Sequence, residues 1–187
     1  MSFVSRFRLG LITRHLRQGG LIAYPTEGVY GLGCDPRNAE AVNRLLALKG
    51  RAATKGLIVI AASYQQIEPW LAPLNEAMRQ PMQATWPGPV TWVAPAADWV
   101  PAWLHGGRRS LAVRVSAHPV VQALCLAFAG PLVSTSANKS GRPPARRPGQ
   151  VRKLCRTCPE LLPVPGPLGG LSKPTPIYDA LTGRSLR

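Results

Sequence analysis

Three clusters in this sequence combine residue types that can do chemistry. Lys49-Gly50-Arg51, with Lys55 just beyond, gathers cations between a helical pattern and an apolar run. Cations so placed either neutralise an anionic ligand or answer the dipole and open carbonyls of the helix end. Ser134-Thr135-Ser136-Ala137-Asn138 follows a second apolar run with a dense row of hydroxyl and amide groups. Such a row can hold a phosphate or carboxylate, and it is equally a common turn composition. Arg114 stands inside the apolar run 111–115, where a charge must be paired or face a cleft. A bidentate clamp on a carboxylate is a natural use of a guanidinium there.

Generic signatures narrow the chemistry by their absence. No G-x-x-x-x-G-K-[ST] loop exists, because 50–55 lacks the second glycine, and Gly28, Gly31 and Gly33 give the G-x-G-x-x-G spacings in the wrong order. H-E-x-x-H and G-x-S-x-G are missing too, and the S-x-x-K at 136–139 has neither S-D-N nor K-T-G to accompany it. Cys155 and Cys158 form one C-x-x-C, but a structural zinc site wants a second pair and Cys34 and Cys125 are isolated. Four cysteines do not make a disulfide scaffold at this length, which fits a reducing compartment.

The elements that must position these clusters read as alternating helix and strand. Phe7, Leu11, Ile12 and Leu16 recur at helical spacing over 6–18, and Gly19-Gly20 stops that helix. A strand at 21–24 follows directly, leaving no room for a cleavable leader despite the arginine-rich start. Asn38 caps a helix over 38–48 whose Ala41, Val42, Leu45 and Leu48 share a face. Strands are predicted at 57–62, 90–94, 110–115, 132–134 and 177–180, with helices at 64–71, 75–83 and 120–128. This alternation means an α/β fold. The stretch 141–156, with six cations, three prolines and no acid, reads as an exposed, mobile basic loop.

Composition bounds the rest. The 187 residues suit one domain, spanning 1–187, and 45% hydrophobic content supplies a core. No apolar stretch approaches the roughly 20 residues of a membrane-spanning helix, so a cytoplasmic protein with no membrane partner is expected. With Lys+Arg 23 against Asp+Glu 8, the net charge of +15 favours anionic partners without choosing among nucleic acid, nucleotide phosphates and acidic surfaces.

Five motifs in order carry a resemblance. Tyr24-Pro25-Thr26-Glu27-Gly28-Val29-Tyr30-Gly31-Leu32-Gly33-Cys34-Asp35, the Lys49-Gly50-Arg51 element, Trp86-Pro87-Gly88-Pro89-Val90-Thr91, Ser110-Leu111-Ala112-Val113-Arg114-Val115 and Ser134-Thr135-Ser136-Ala137-Asn138-Lys139-Ser140-Gly141 resemble the YrdC family across nearly the whole chain. The similarity is greatest to its short bacterial form, without the extra C-terminal domain of longer relatives. The resemblance implies a twisted, mixed, open sheet with flanking helices around a basic concave cleft. It also implies an enzyme, a nucleotidyltransferase that condenses L-threonine, bicarbonate and ATP into threonylcarbamoyl-AMP and pyrophosphate. That product feeds the threonylcarbamoyladenosine modification of tRNA beside the anticodon, so the other enzymes of that pathway become partners and the basic cleft a candidate tRNA contact.

Residue by residue, the resemblance places Lys49, Arg51, Ser136 and Asn138 on the ATP phosphates, with Lys49 and Arg51 catalytic and Lys55, Ser110 and Pro144 assisting. Thr26, Gly28, Arg114, Ser134 and Thr175 fall on the threonine side, Arg114 as the carboxylate partner; Thr175 and Arg187 match the family loosely. Longer relatives carry threonine where this chain has Gly28 and histidine near Ile60, so those contacts need replacement. Mg2+ accompanies ATP, and neither Glu27 nor Asp35 is assigned as its ligand. Two other readings stand beside this one: an RNA-binding module using the same charge, and a carbamoyl-transfer domain like that in hydrogenase-maturation proteins, whose further zinc-finger and acylphosphatase parts find no space in 187 residues.

Overall fold

The computed structural model describes residues 3–187. Among the described residues, seven α-helices and eight strands follow one another: α1 (Arg6–Arg17), β1 (Leu21–Pro25), β2 (Tyr30–Gly33), α2 (Ala39–Lys49), β3 (Ile58–Ala61), α3 (Tyr64–Ile67), α4 (Glu76–Thr85), β4 (Thr91–Pro95), α5 (Ala102–His105), β5 (Ser110–Val115), α6 (Pro119–Phe128), β6 (Leu132–Ser136), α7 (Pro148–Thr157), β7 (Leu161–Pro163) and β8 (Ile177–Asp179). Asn38 caps α2 as its composition predicts, its side chain accepting from the Ala41 N–H, and Gly50 ends the helix in the left-handed region at φ 56°.

The strands form one mixed sheet in the order β7-β1-β2-β6-β3-β5-β4-β8. β1 with β7, β3 with β5 and β4 with β8 are parallel; the other neighbours run antiparallel. Alternation along the strands sorts side chains onto two faces. Ala23, Leu32, Val59, Val113 and Val133 join Val42 and Leu45 of α2 in the larger apolar cluster. On the opposite face Ile22, Tyr24, Ile60 and Leu132 pack with Ile12 and Leu16 of α1 and Val121 and Leu124 of α6.

The stretch 141–156 corrects the sequence expectation: residues 148–157 are helical. Pro148 occupies the first turn, where its missing N–H is no loss, and Gln150 Oε1 accepts the backbone N–H groups of Arg146 and Arg147. Val151 and Cys158 are buried, with Leu154 and Cys155 packed beside them. This i, i+3, i+4, i+7 stripe lies among six cations, and it gives the cysteines a packing role.

β2 and β7 lie where no strand is predicted, and β6 outruns its predicted end. The glycine-rich segment after Thr26 contains β2, and Gly33 is needed there because a Cβ would come within 2.6 Å of the Val133 carbonyl oxygen. β6 runs on to Ser136 rather than ending at 134, because Thr135 and Ser136 pair with Leu32 and Gly31 of β2.

Candidate functional site

α1 and α6 cover only part of their face of the sheet. Beyond their reach, Ile58 of β3, Val93 of β4, Ser110, Ala112 and Arg114 of β5, and Ser134 and Ser136 of β6 are left facing a cavity of about 540 Å³. The registers Ile58↔Ala112, Ile60↔Arg114 and Ile58↔Ser134 place these residues on one face. Arg51, Lys55, Arg108, Arg114, Arg146, Lys173 and Arg187 contribute seven cationic side chains to the lining, which includes no Asp or Glu. Arg114 is buried at the floor and Lys55, Arg108, Arg146, Lys173 and Arg187 are exposed at the rim. Such a pocket concentrates field on an anion.

Ten of the expected site residues converge here: Thr26, Gly28, Arg51, Lys55, Ser110, Arg114, Ser134, Ser136, Pro144 and Thr175. Lys49 and Asn138 lie just outside the lining. Lys49 is buried as the last residue of α2. Its Nζ donates to the Ser136 carbonyl at 2.5 Å, the Asn138 carbonyl at 2.8 Å and Asn138 Oδ1 at 3.1 Å. Ser136 Oγ donates to the same Oδ1 at 2.6 Å, and the Asn138 amide donates to the Lys139 and Arg142 carbonyls. Lys49 thus ties down the loop that carries Ser136. Burial and the neighbouring Arg51 guanidinium push its pKa down to about 8. Arg51 turns into the cavity, braced by Nε and Nη2 on the Gly56 carbonyl at 3.3 and 2.9 Å, and burial, then Arg108, depress its pKa.

Arg114 is held by hydroxyls. Nε and Nη2 donate to Thr91 Oγ1 at 2.9 and 2.6 Å, and Nη2 also donates to Thr175 Oγ1 at 2.6 Å. Glu27 Oε2 stands 3.7 Å from Nη1, and Glu27 Oε1 accepts from Ser116 Oγ at 2.5 Å. Burial works against the guanidinium charge and Glu27 works for it.

The segment 169–175 closes one side. Gly169 N–H donates to the Thr26 carbonyl and Leu171 N–H to the Glu27 carbonyl, at 3.0 and 2.9 Å. Arg146 Nη2 reaches the Ser172 carbonyl at 2.6 Å and Arg187 Nη2 the Thr175 carbonyl at 2.7 Å. Gly28 permits this approach, since a Cβ there would be 3.1 Å from the Leu171 carbonyl oxygen. Ile60 belongs to the apolar cluster under α6 and does not line the cavity.

Sequence reading missed Thr91, Arg108, Arg146, Lys173 and the pairing of Glu27. Thr91 was signalled by β4 alternation, two residues from Val93 on the same face. Arg146 was hidden in the basic stretch.

No group of three or more His, Cys, Asp or Glu able to hold a metal occurs among the described residues, and no helix is long and apolar enough to cross a membrane. Glu27 is engaged as above, and Asp35 Oδ1 accepts from the Arg37 N–H. The residues present therefore do not form a protein cage for a metal ion.

Comparison with known proteins agrees with this geometry. The chain is 58% identical over 181 residues to a threonylcarbamoyl-AMP synthase of Halorhodospira halophila, covering 97% of this chain and 94% of that protein. It is 50% identical over 188 residues to one of Methylococcus capsulatus, covering all of both. The crystal structure of P. abyssi Sua5 complexed with L-threonine superposes with a TM-score of 0.83 at 29% identity, covering 94% of this chain and 51% of that one, so this chain spans about half its length. The family model Sua5_yciO_yrdC, described as "Telomere recombination", matches residues 14–169. With most of its length inside that match and the same fold around a basic cleft, the chain belongs to the Sua5/YciO/YrdC family.

Proposed function

We propose that this cleft condenses L-threonine, bicarbonate and ATP into threonylcarbamoyl-AMP, pyrophosphate and water. One observation carries the reading: a cavity lined by seven cationic side chains and no Asp or Glu, with a single buried arginine at its floor and hydroxyls from two strands beside it. The floor suits a small carboxylate and the rim a polyphosphate. Arg114 receives the threonine carboxylate, flanked by Thr26, Ser134 and Thr175. Arg51 and Lys55 take the phosphates with Ser110, Ser136 and Pro144, while Lys49 and Asn138 hold the loop.

The threonine amine, once deprotonated, captures carbon dioxide or bicarbonate as a carbamate. A carbamate oxygen then attacks the α-phosphorus while the bond to the pyrophosphate oxygen breaks. Such transfers need positioning and charge neutralisation more than covalent help, which matches a site without a conspicuous general base. Mg2+ entering with ATP would rest on phosphate oxygens and water. The product goes to the threonylcarbamoyladenosine modification of tRNA in the cytoplasm, and the chain acts as one domain whose basic cleft is the candidate tRNA contact.

A product assay tests this: pyrophosphate release is expected only when ATP, L-threonine and bicarbonate are all present. Equal release without threonine would overturn it. An RNA-binding module would bind tRNA in a salt-dependent way and release no pyrophosphate.

A further inference from the structure

Glu27 is the unexpected charge of this site. Thr26 and Gly28 on either side of it line the cavity, yet its own carboxylate turns behind Arg114 and is buried. Ser116 Oγ occupies Oε1. Oε2 has no hydrogen-bond partner and stands 3.7 Å from Arg114 Nη1. Nη1 in turn makes no hydrogen bond, because Thr91 and Thr175 engage only Nε and Nη2. Thr91 and Thr175 suffice to aim the guanidinium, so orientation alone leaves a buried carboxylate without a reason.

Charge supplies one. A free amino acid carries an ammonium one carbon from its carboxylate, and a carboxylate on Arg114 Nη1 brings that ammonium into a cavity with seven cationic side chains. Among the described residues, Glu27 is the sole carboxylate in ion-pair range of any of them. Its field is little screened at a buried position. Arg114 and Glu27 together present a dipole matched to a zwitterion, whereas Arg114 alone would favour any small anion.

We infer that Glu27 is a specificity-determining residue that selects an amino acid with a free α-ammonium over a plain carboxylate. The inference rests on the proposed placement of threonine at Arg114. It also gives the carbamate step a direction: once the nitrogen is carbamoylated, its positive charge is gone and a second negative charge has appeared. Glu27 then disfavours the dianion near Arg114, and the rim cations draw its new carboxylate outward toward the nucleotide.

The test is calorimetric titration of the wild type and Glu27→Gln in bicarbonate-free buffer. Two ligands are compared: L-threonine, and the hydroxy acid of matching configuration in which hydroxyl replaces the α-ammonium. The wild type should prefer threonine by about tenfold or more, and Glu27→Gln should bring the ratio near one through lost threonine affinity. Binding of a non-hydrolysable ATP analogue should be unchanged. An unaltered ratio, or an equal loss for both ligands, overturns the inference, because a packing role would weaken both alike. If Glu27→Gln does not fold, Glu27→Asp, which keeps the charge but retracts it, should lower the ratio part of the way; a wild-type ratio there overturns the inference too. Failure of the wild type to bind threonine at all would instead refute the placement at Arg114, and the inference with it.

Discussion

Lys49→Met and Arg51→Ala, two changes within one short motif, should fail in different ways. Methionine keeps the length of the Lys49 stem and removes the ammonium. Of its three acceptors, Asn138 Oδ1 keeps the Ser136 hydroxyl at 2.6 Å and the Ser136 carbonyl keeps the Asn138 N–H at 3.0 Å, while the Asn138 carbonyl loses its Lys49 donor. The one acceptor stripped of its donor costs about 1–3 kcal/mol. Against this, an ammonium whose pKa falls from 10.5 to about 8 on burial carries a penalty that methionine removes, worth up to about 3 kcal/mol. The two oppose each other, and the net loss is at most about 3 kcal/mol. At this chain length that lowers Tm by no more than about 12 °C.

Arg51 presents the opposite case. Its guanidinium lines the cavity and is braced along one edge only, on the Gly56 and Lys55 carbonyls. Arg51→Ala should leave the melt nearly native and lower turnover by about a hundred- to a thousandfold, as expected for loss of a preorganised donor at a site of developing charge. Lys49→Met should mainly raise the apparent ATP constant through a loosened Ser136 loop. Thermal melts and steady-state pyrophosphate release on both variants decide the matter. A native melt with collapsed turnover in Lys49→Met would refute this reasoning, since it would mean that Nζ leaves its carbonyls for the reacting phosphate.

The depressed Lys49 pKa adds a pH signature: between about 8 and 10.5 the unfolded chain holds a proton that the folded one has released. Stability should therefore rise with pH through that window and stay flat below it; the difference in melting free energy between wild type and Lys49→Met isolates the effect, and a falling difference would contradict it. Arg114→Lys should raise the apparent threonine constant far more than the ATP constant, because an ammonium cannot span Thr91 and Thr175 while presenting a free edge; equal effects on both constants would remove Arg114 from the threonine side. Thr91→Val, nearly isosteric at a fully buried position, should move the threonine constant in the same direction by about tenfold, read from the same kinetics. Gly28→Thr should weaken threonine binding, because its Cβ meets the Leu171 carbonyl oxygen at 3.1 Å; tighter binding would show that the 169–175 segment yields freely.

What was legible in the sequence followed from how local the cause was. Asn38 announces the start of α2 by a type that satisfies end groups within a turn, and the cap hydrogen bond confirms it. Arg114 was conspicuous because a charge in an apolar strand violates the pattern around it. The helix α7 was lost because the apolar stripe of Val151, Leu154, Cys155 and Cys158 is sparse among cations, so its period carries less weight than its charge. β2 was lost because its glycines answer to Val133 and Tyr24, residues brought close only by the fold.

The placement of Lys49 was the least legible of all, and the reason is geometric. From the sequence, Lys49 and Arg51 are two cations of one motif, separated by the glycine that ends α2. In the fold that glycine turns the chain by its left-handed conformation, so the two side chains diverge: one runs beneath the β6 loop and the other out over the cavity. The same division governs the sheet. Residues of identical alternation on β3 and β6 become core where α1 and α6 cover them, as with Ile60 and Leu132, and become site where the helices stop, as with Ile58 and Ser134. Strand periodicity tells which face a residue takes. Only the reach of helices distant in sequence determines whether that face is filled with leucine or left open to a ligand.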